Sequence, residues 1–411
     1  MTNKAKFNIS IVILSVLSVM GFGAIGYQLV NGLGVTGMNN IVSWGTYIML
    51  FMFFVGLSAG GLIVSSSATV FNIPSFKVVA KPATILSTVC VIVAAAFIMV
   101  DLGSPFRVLN LLLHGQFKSP LMWDVVVINL YLFINVLYLY LMTRKETNEK
   151  ALKIMSSIAL PVAILVHSVT AWIFGLQIAR EGWYTAIMAP LFVASALDSG
   201  LALLIIVLVL LMTFKIFIVE KKLITTLAGL LVTFVAVDAY LLLAEVLTMV
   251  YPQKESKMLI VNELVSGSLA PYFWIQVILG LVVPLAILLF RKNREKIGLV
   301  VFASALVVFG VLCKRIWLLF SAFIHPNIAA GQGITLGYTQ ASEESSFFQN
   351  IWSTVGVYSP TIVELMVSVG LISFGILLFF YLAKKILVQK SSQEDQFSQK
   401  EEKVYSMVEN G

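Results

Sequence analysis

Ten runs of roughly 20 apolar residues set the first limit on what this 411-residue chain can become: 9–30, 45–70, 79–101, 122–142, 152–179, 187–214, 223–250, 271–290, 297–323 and 361–388. About 20 apolar residues wound as a helix cross about 30 Å of hydrocarbon. Charged residues make up only 11% of the chain, against about 25% in soluble domains. The sequence therefore predicts an all-α integral membrane protein of ten transmembrane helices, numbered 1 to 10 in order.

The basic residues give an orientation, because cytoplasmic loops are enriched in lysine and arginine. One set of alternate loops holds Lys4, Lys6, Lys77, Lys81, Arg144, Lys145, Lys150, Lys153, Lys215, Lys221, Lys222, Arg291, Lys292, Arg294, Lys296, Lys384, Lys385 and Lys390. The other set holds Arg107, Lys118, Arg180, Lys254 and Lys257. Both termini are thus expected in the cytoplasm, and the net charge of +7 follows from topology, with no need to invoke a nucleic-acid partner. Thr2–Lys6 is a short basic flank with no small-residue cleavage pattern after it, so helix 1 is expected to stay in the mature protein. Cys90 and Cys313 each stand alone in a span, with no CxxC spacing for a metal or cluster.

Two apolar stretches match in frame. Trp44-Gly45-Thr46-Tyr47-Ile48-Met49, running on to Gly61-Leu62, aligns with Trp183-Tyr184-Thr185-Ala186-Ile187-Met188, running on to Gly200-Leu201. Two spans later each half carries Pro-x-x-Trp at a helix mouth, Pro120 to Trp123 and Pro271 to Trp274. Each motif on its own is a helix start at an interface, but that does not explain their common order. The expectation is two parallel four-helix bundles, helices 2–5 (residues 44–182) and 6–9 (183–323). Helix 1 with its outer loop (1–43), an outer loop (324–360), helix 10 (361–388) and a disordered cytoplasmic tail (389–411) flank them. Gly56-x-x-x-Gly60 followed by Gly61 gives helix 2 a smooth face, for a packed helix or for a flat ring or lipid-like tail.

Ionisable groups inside a bilayer cost at least about 2.5–3.5 kcal/mol each, so they are kept with a partner or for a task. His167 lies in helix 5, Asp198 in helix 6, Asp238 and Glu245 in helix 7, and Lys314 with Arg315 in helix 9. Asp101, Asp124 and Glu364 sit at outer helix ends. Asp238 and Glu245 are two turns apart on one face. The cluster reads either as ion pairs that neutralise one another, such as Arg315 with Glu245 or Asp198, or as a protonatable path. His167 is the one histidine well inside a span, which disfavours a bis-histidine haem; it is either a buried hydrogen-bonding residue or a proton acceptor. Arg107 either pairs with Asp101 or Asp124 or frames a polar mouth between helices 3 and 4.

Trp44, Gly56 to Gly61, Asp101-Leu102-Gly103-Ser104-Pro105-x-Arg107, Ser119-Pro120-x-x-Trp123-Asp124, His167 and Ala189-Pro190-Leu191-Phe192 leading to Asp198-Ser199-Gly200 together resemble the NrfD/PsrC family. These are membrane subunits of polysulfide, nitrite, tetrathionate and related reductases and of alternative complex III, and ten spans fit the family's longer branch. The resemblance implies a quinone-binding subunit (menaquinone or ubiquinone) with no haem, iron–sulfur cluster or metal of its own, in a bacterial or archaeal cell membrane. It also implies an iron–sulfur ferredoxin-like partner on the outer face and, behind it, a molybdopterin catalytic subunit. On that basis Trp44, Tyr47, Asp101, Arg107, Trp123 and His167 are expected around the quinone, with Asp101 or His167 taking a proton. Asp198, Asp238, Glu245, Lys314 and Arg315 are expected to carry protons.

Two other readings compete. An ion-coupled secondary transporter also holds intramembrane acids and bases, although Pro161, Pro190 and Pro284 do not occupy corresponding positions in the two halves. An inert anchor of a peripheral enzyme would leave the polar cluster without a task. The segment from His325 to Pro360 has no lysine or arginine and is expected to be ordered by a partner.

Overall fold

The computed structural model describes residues 3–39, 42–144, 148–324 and 358–409, the last of these with side chains to Leu387. Ten helices among them are long and apolar enough to cross a membrane: α1 (Phe7–Asn31), α2 (Thr46–Val70), α3 (Pro74–Asp101), α4 (Pro120–Thr143), α5 (Glu149–Gly175), α6 (Met188–Thr213), α7 (Lys221–Val250), α8 (Ala270–Leu288), α9 (Ile297–Ser321) and α10 (Ile362–Leu387). The protein is a multi-pass integral membrane protein, all-helical over the described residues. The helix of α10 runs on to Glu409. Most of the loop from His325 to Pro360, and the side chains of the tail from Gln389, lie outside the described residues.

The spans start where sequence chemistry allows. Pro74 and Pro120 open α3 and α4 and Pro271 lies in the first turn of α8, positions whose N–H groups need no intrahelical partner. Asn148 caps α5 by accepting from the backbone N–H of Ala151 at 3.1 Å. The two Pro-x-x-Trp motifs do the same job: the indole of Trp123 donates to the Phe117 carbonyl at 2.6 Å, and that of Trp274 to the Val265 carbonyl at 3.0 Å. Trp123 ties its helix start to the preceding loop, and Trp274 ties its own to the end of the short helix Glu255–Val265.

Helix α2 is apolar and buried on nearly every side, as expected of a helix at the centre of a bundle. It packs on α3, α5, α6 and α9. Helix α4 lies against α3 and α5, α6 against α5, α7 and α9, and α8 against α9 and α7. Helices α1 and α10 pair with each other, and α10 rests on α3. The closest crossings are glycine on glycine: Gly60 of α2 on Gly200 of α6, Gly280 of α8 on Gly310 of α9, and Gly21 of α1 on Gly370 of α10. In each a Cβ would run into the opposite backbone, which is how helices approach without a hydrophobic drive between them.

One irregularity was not foreseen. Residues Ile275–Val282 of α8 form a π-helical stretch that returns to α-helix at Val283 and Pro284. It carries the buried Gln276, whose Oε1 accepts from the Trp317 indole at 2.6 Å. Wide turns of this kind gather at functional sites.

Candidate functional site

The candidate residues fall into three groups toward the lysine-poor end of the spans. The first lies where α1, α2, α3 and α10 meet. Asp101 is the last residue of α3, and two residues on Gly103 takes the left-handed conformation (φ 64°). Its Oδ1 is buried and makes no hydrogen bond among the described residues. Tyr47, fully buried on the first turn of α2, donates to Gln28 Oε1 at 2.6 Å, and Gln28 Nε2 donates to the Val100 carbonyl at 3.0 Å. Glu364, buried in the first turn of α10, accepts from the Tyr358 hydroxyl at 2.5 Å, from Gly37 N–H at 2.8 Å and from Thr361 N–H at 2.9 Å. Tyr358 in turn bonds the backbone N–H and the hydroxyl of Thr46; burial, with Glu364 beside it, pushes the Tyr358 phenol above its ordinary range. Asp101 and Glu364 are near enough for their charges to act on one another, and both lie near the Tyr47 phenol.

The second group is aromatic. Trp44 stacks on Trp183 with ring centroids 5.7 Å apart and planes 20° from parallel. Phe174 meets both edge-on and stacks on Phe192. The Trp183 indole donates to the Leu318 carbonyl at 2.8 Å. Trp44 therefore belongs with α5 and α6 here, and not with Asp101.

The third group lies beneath these rings. The Arg315 guanidinium sits 4.0 Å over the Phe192 ring and donates to Ser195 Oγ at 2.8 Å. Its Nε and Nη1 make no hydrogen bond among the described residues. Gly56 leaves the space between Arg315 and His167: a Cβ there would lie 3.7 Å from Arg315 Nη2 and 3.9 Å from His167 Nε2. The next residue, Lys314, is paired with Asp238 at 2.8 Å, both buried. Asp198 is fully buried, neither of its oxygens makes a hydrogen bond among the described residues, and it lies within reach of the charges of Asp238, Lys314 and Arg315. The ion pair is thus Lys314 with Asp238, whereas Arg315 meets a hydroxyl and a ring where Glu245 or Asp198 was expected.

Glu245 links this cluster to the surface. Its Oε2 accepts from Thr185 Oγ1 at 3.0 Å, and a cavity of about 10 Å³ lined by Glu245, Lys314 and Gly182 lies beside it, room for about one water. Above, Lys257 donates to the carbonyls of Glu181 and Tyr184 and, with Lys254, pairs with the Glu181 carboxylate. Burial pushes the Lys257 ammonium below the ordinary lysine range, against the pull of Glu181 and Glu245.

Of the residues expected around one ring, the structure brings Tyr47 and Asp101 together and sets His167 with Arg315. Arg107 is exposed and joins no ion pair among the described residues. Trp123 is spent on its helix start, and Asp124 is buried on Thr170 Oγ1 at 2.6 Å. Gln28 and Tyr358 were not expected at the site, nor was a buried network in which Ser58, Ser87, Tyr131 and Asn135 join α2, α3 and α4. A periodic signal for the last was present, since Tyr131, Asn135 and Tyr138 stand at i, i+4 and i+7 on one face.

The model of the family described as polysulphide reductase, NrfD, matches residues 34–327. Curated relatives match over nearly their full length. A proposed dimethyl sulfoxide reductase membrane subunit of Halobacterium salinarum is 37% identical over 93% of this chain and 92% of its own. A selenate reductase subunit of Mesobacillus selenatarsenatis is 27% identical over 93% and 94%. The Hdr-like menaquinol oxidoreductase integral membrane subunit of Archaeoglobus fulgidus is 29% identical over 90% of each.

Proposed function

Because the chain belongs to the polysulphide reductase NrfD family, we propose that it is the quinol-binding membrane subunit of a respiratory oxidoreductase complex. The observation that carries this reading is the unpartnered, buried Oδ1 of Asp101 beside the Tyr47 phenol. A quinol becomes a quinone by losing two protons and two electrons, and a buried carboxylate in reach of its hydroxyl is the base that step needs. In this reading Asp101 accepts the proton, Tyr47 and Gln28 fix the rim of the site, and Glu364 holds the ends of α2 and α10 around it.

The electrons then leave to an iron–sulfur, ferredoxin-like subunit on the lysine-poor face and pass on to a molybdopterin catalytic subunit. Three relatives bear names of reductase or oxidoreductase subunits, one of them a menaquinol oxidoreductase, which favours menaquinol over ubiquinol. The membrane is the cell membrane, with the lysine-poor side outward and both termini in the cytoplasm. His167, Arg315, Asp198, Asp238, Lys314 and Glu245 form the proton-handling group, with Lys257 and Glu181 at its mouth.

The test is quinol oxidation by the intact complex carrying Asp101→Asn, with quinol-analogue binding by the purified chain alongside it. Loss of oxidation in a folded variant supports the reading, and normal oxidation removes it. A chain that binds no quinol analogue returns the question to a transporter or an inert anchor.

A further inference from the structure

A cavity of about 300 Å³ lies between α2, α3, α6, α9 and α10, lined among others by Phe54, Cys90, Val207 and Ile376. Among the described residues its wall carries no charged or hydrogen-bonding side chain beyond the Cys90 thiol. Water needs polar partners to settle in such a space, so its occupant is apolar. The fully buried rings of Tyr47 and Phe97 stand between it and the Asp101 site. The cavity is therefore a separate compartment with its own way in.

What fits is set by entry, depth and charge. Leu210 on α6 and Ile376 on α10 line the cavity and are 41% and 39% exposed, so it opens sideways to lipid. Helix α10 packs on α1, α2 and α3 and meets the end of α6 through the ring of Phe380 on Phe214 at 5.9 Å. The opening thus lies between α6 and α10, beside these rings. It is on the lysine-rich side: Leu210 is about 5 Å from the end of α6 at 1.5 Å per residue, and Phe380, which lines the cavity, also meets Phe7 near the start of α1. Two lysines stand just past the rings. Lys215 follows Phe214, and Lys384 is one turn beyond Phe380 on the same face of α10. Both are exposed and join no ion pair among the described residues. Lys215 also holds the left-handed position that closes α6 (φ 57°), where glycine is the usual occupant. A lysine is kept there against a backbone cost.

We propose that this cavity is a phospholipid site: one hydrocarbon tail of an anionic phospholipid, from the leaflet on the lysine-rich side, enters between α6 and α10, and Lys215 and Lys384 hold its phosphate. The tail supplies the packing that α6 and α10 do not give each other, and so joins the α1–α10 pair to the rest of the bundle. The site is independent of what Asp101 binds.

The test uses the purified full chain and two phospholipids with identical tails, phosphatidylglycerol and phosphatidylcholine, each carrying a diazirine near the end of one tail. Labelling of α3, α6 or α10 at the cavity wall is expected to be roughly tenfold stronger with phosphatidylglycerol, the order that two lysines at a membrane surface give. The double change Lys215→Gln with Lys384→Gln should bring phosphatidylglycerol down to the level of phosphatidylcholine. Val207→Phe fills the cavity from α6, and Ile376→Trp blocks its half-exposed mouth. Either should abolish wall labelling by both lipids, and Ile376→Trp, placed at the surface, serves if the buried change lowers the thermal midpoint. Equal labelling by the two phospholipids in the unaltered chain overturns the proposal. So does wall labelling that survives Ile376→Trp, or phosphatidylglycerol that added menaquinone displaces.

Discussion

Trp44 and Trp183, which align across the two matched stretches of sequence, stack face to face at 5.7 Å. Lower in the bundle, Gly60 and Gly200 bring α2 and α6 into backbone contact. Matched stretches therefore meet each other in space, through aromatic faces at the top and glycines lower down. Gly60 and Gly200 meet backbone to backbone, so an added methyl cannot be absorbed by a rotamer change. Gly200→Ala is expected to cost about 1–3 kcal/mol, the usual range for overpacking, read as a lower thermal midpoint in detergent. Gly23→Ala, at a position with open space around it, should leave the midpoint unchanged.

Asp101→Asn keeps the size and burial of the side chain but removes the base. Quinol oxidation should fall by about 10²-fold or more, the usual worth of a positioned proton acceptor, while the partner subunit still docks. Tyr47→Phe breaks only the bond to Gln28 and should cost less. Steady-state oxidation by the assembled complex, with assembly checked by co-purification, decides the order of the two.

Lys314 and Asp238 pair at 2.8 Å in a fully buried setting. Lys314→Met leaves a buried carboxylate without its partner and should destabilise by about 3–5 kcal/mol, whereas the double change Lys314→Met with Asp238→Leu should recover most of that loss. If the pair only neutralises itself, the double variant regains proton release per quinol as well. If it handles protons, the double variant is stable and releases fewer protons in reconstituted vesicles.

Glu181 gives a pH signature outside the spans. Burial alone would raise its carboxyl, but Lys254 and Lys257 outweigh it and hold the group below its ordinary value of 4.5. A depressed folded value means the stabilisation is present in full above 4.5 and is lost as pH falls from there through the folded value. The loop from Arg180 to Ile187 should therefore lose hydrogen-exchange protection below pH 4.5 in the native chain. In Glu181→Gln that pH-dependent step should be absent, and because the pair is partly exposed it should weaken with salt.

The ten spans and the charged cluster were legible because hydrocarbon imposes a length on apolar runs and makes each charge conspicuous. The pairing within the cluster was not: sequence places Lys314 and Arg315 side by side, and only the rotation of α9 decides that one meets Asp238 and the other Ser195. Topology gives depth along a span but not direction around it, so the sequence did not show that His167 and Arg315 face one gap at Gly56. Ser58, Ser87 and Asn135 carry no charge and barely change hydropathy, so their network hid inside helices that already read as spans. Gln28 was invisible for the same reason.

Gly56 offers the sharpest separation of packing from passage. Its hydrogen faces the gap between Arg315 and His167, and a single methyl there would make ordinary contacts at 3.7 and 3.9 Å. Gly56→Ala is therefore expected to fold and to keep quinol oxidation. Gly56→Leu would fill the gap and exclude the water that a proton would need between the two side chains. Because Gly60 and Gly61 make the backbone contacts of α2 with α6 and α3, filling at Gly56 should leave the helix crossing intact. The expected outcome is retained quinol binding with slowed, less pH-responsive turnover. Equal turnover in Gly56→Leu and the unaltered complex would show that no proton route through water runs along the gap between His167 and Arg315.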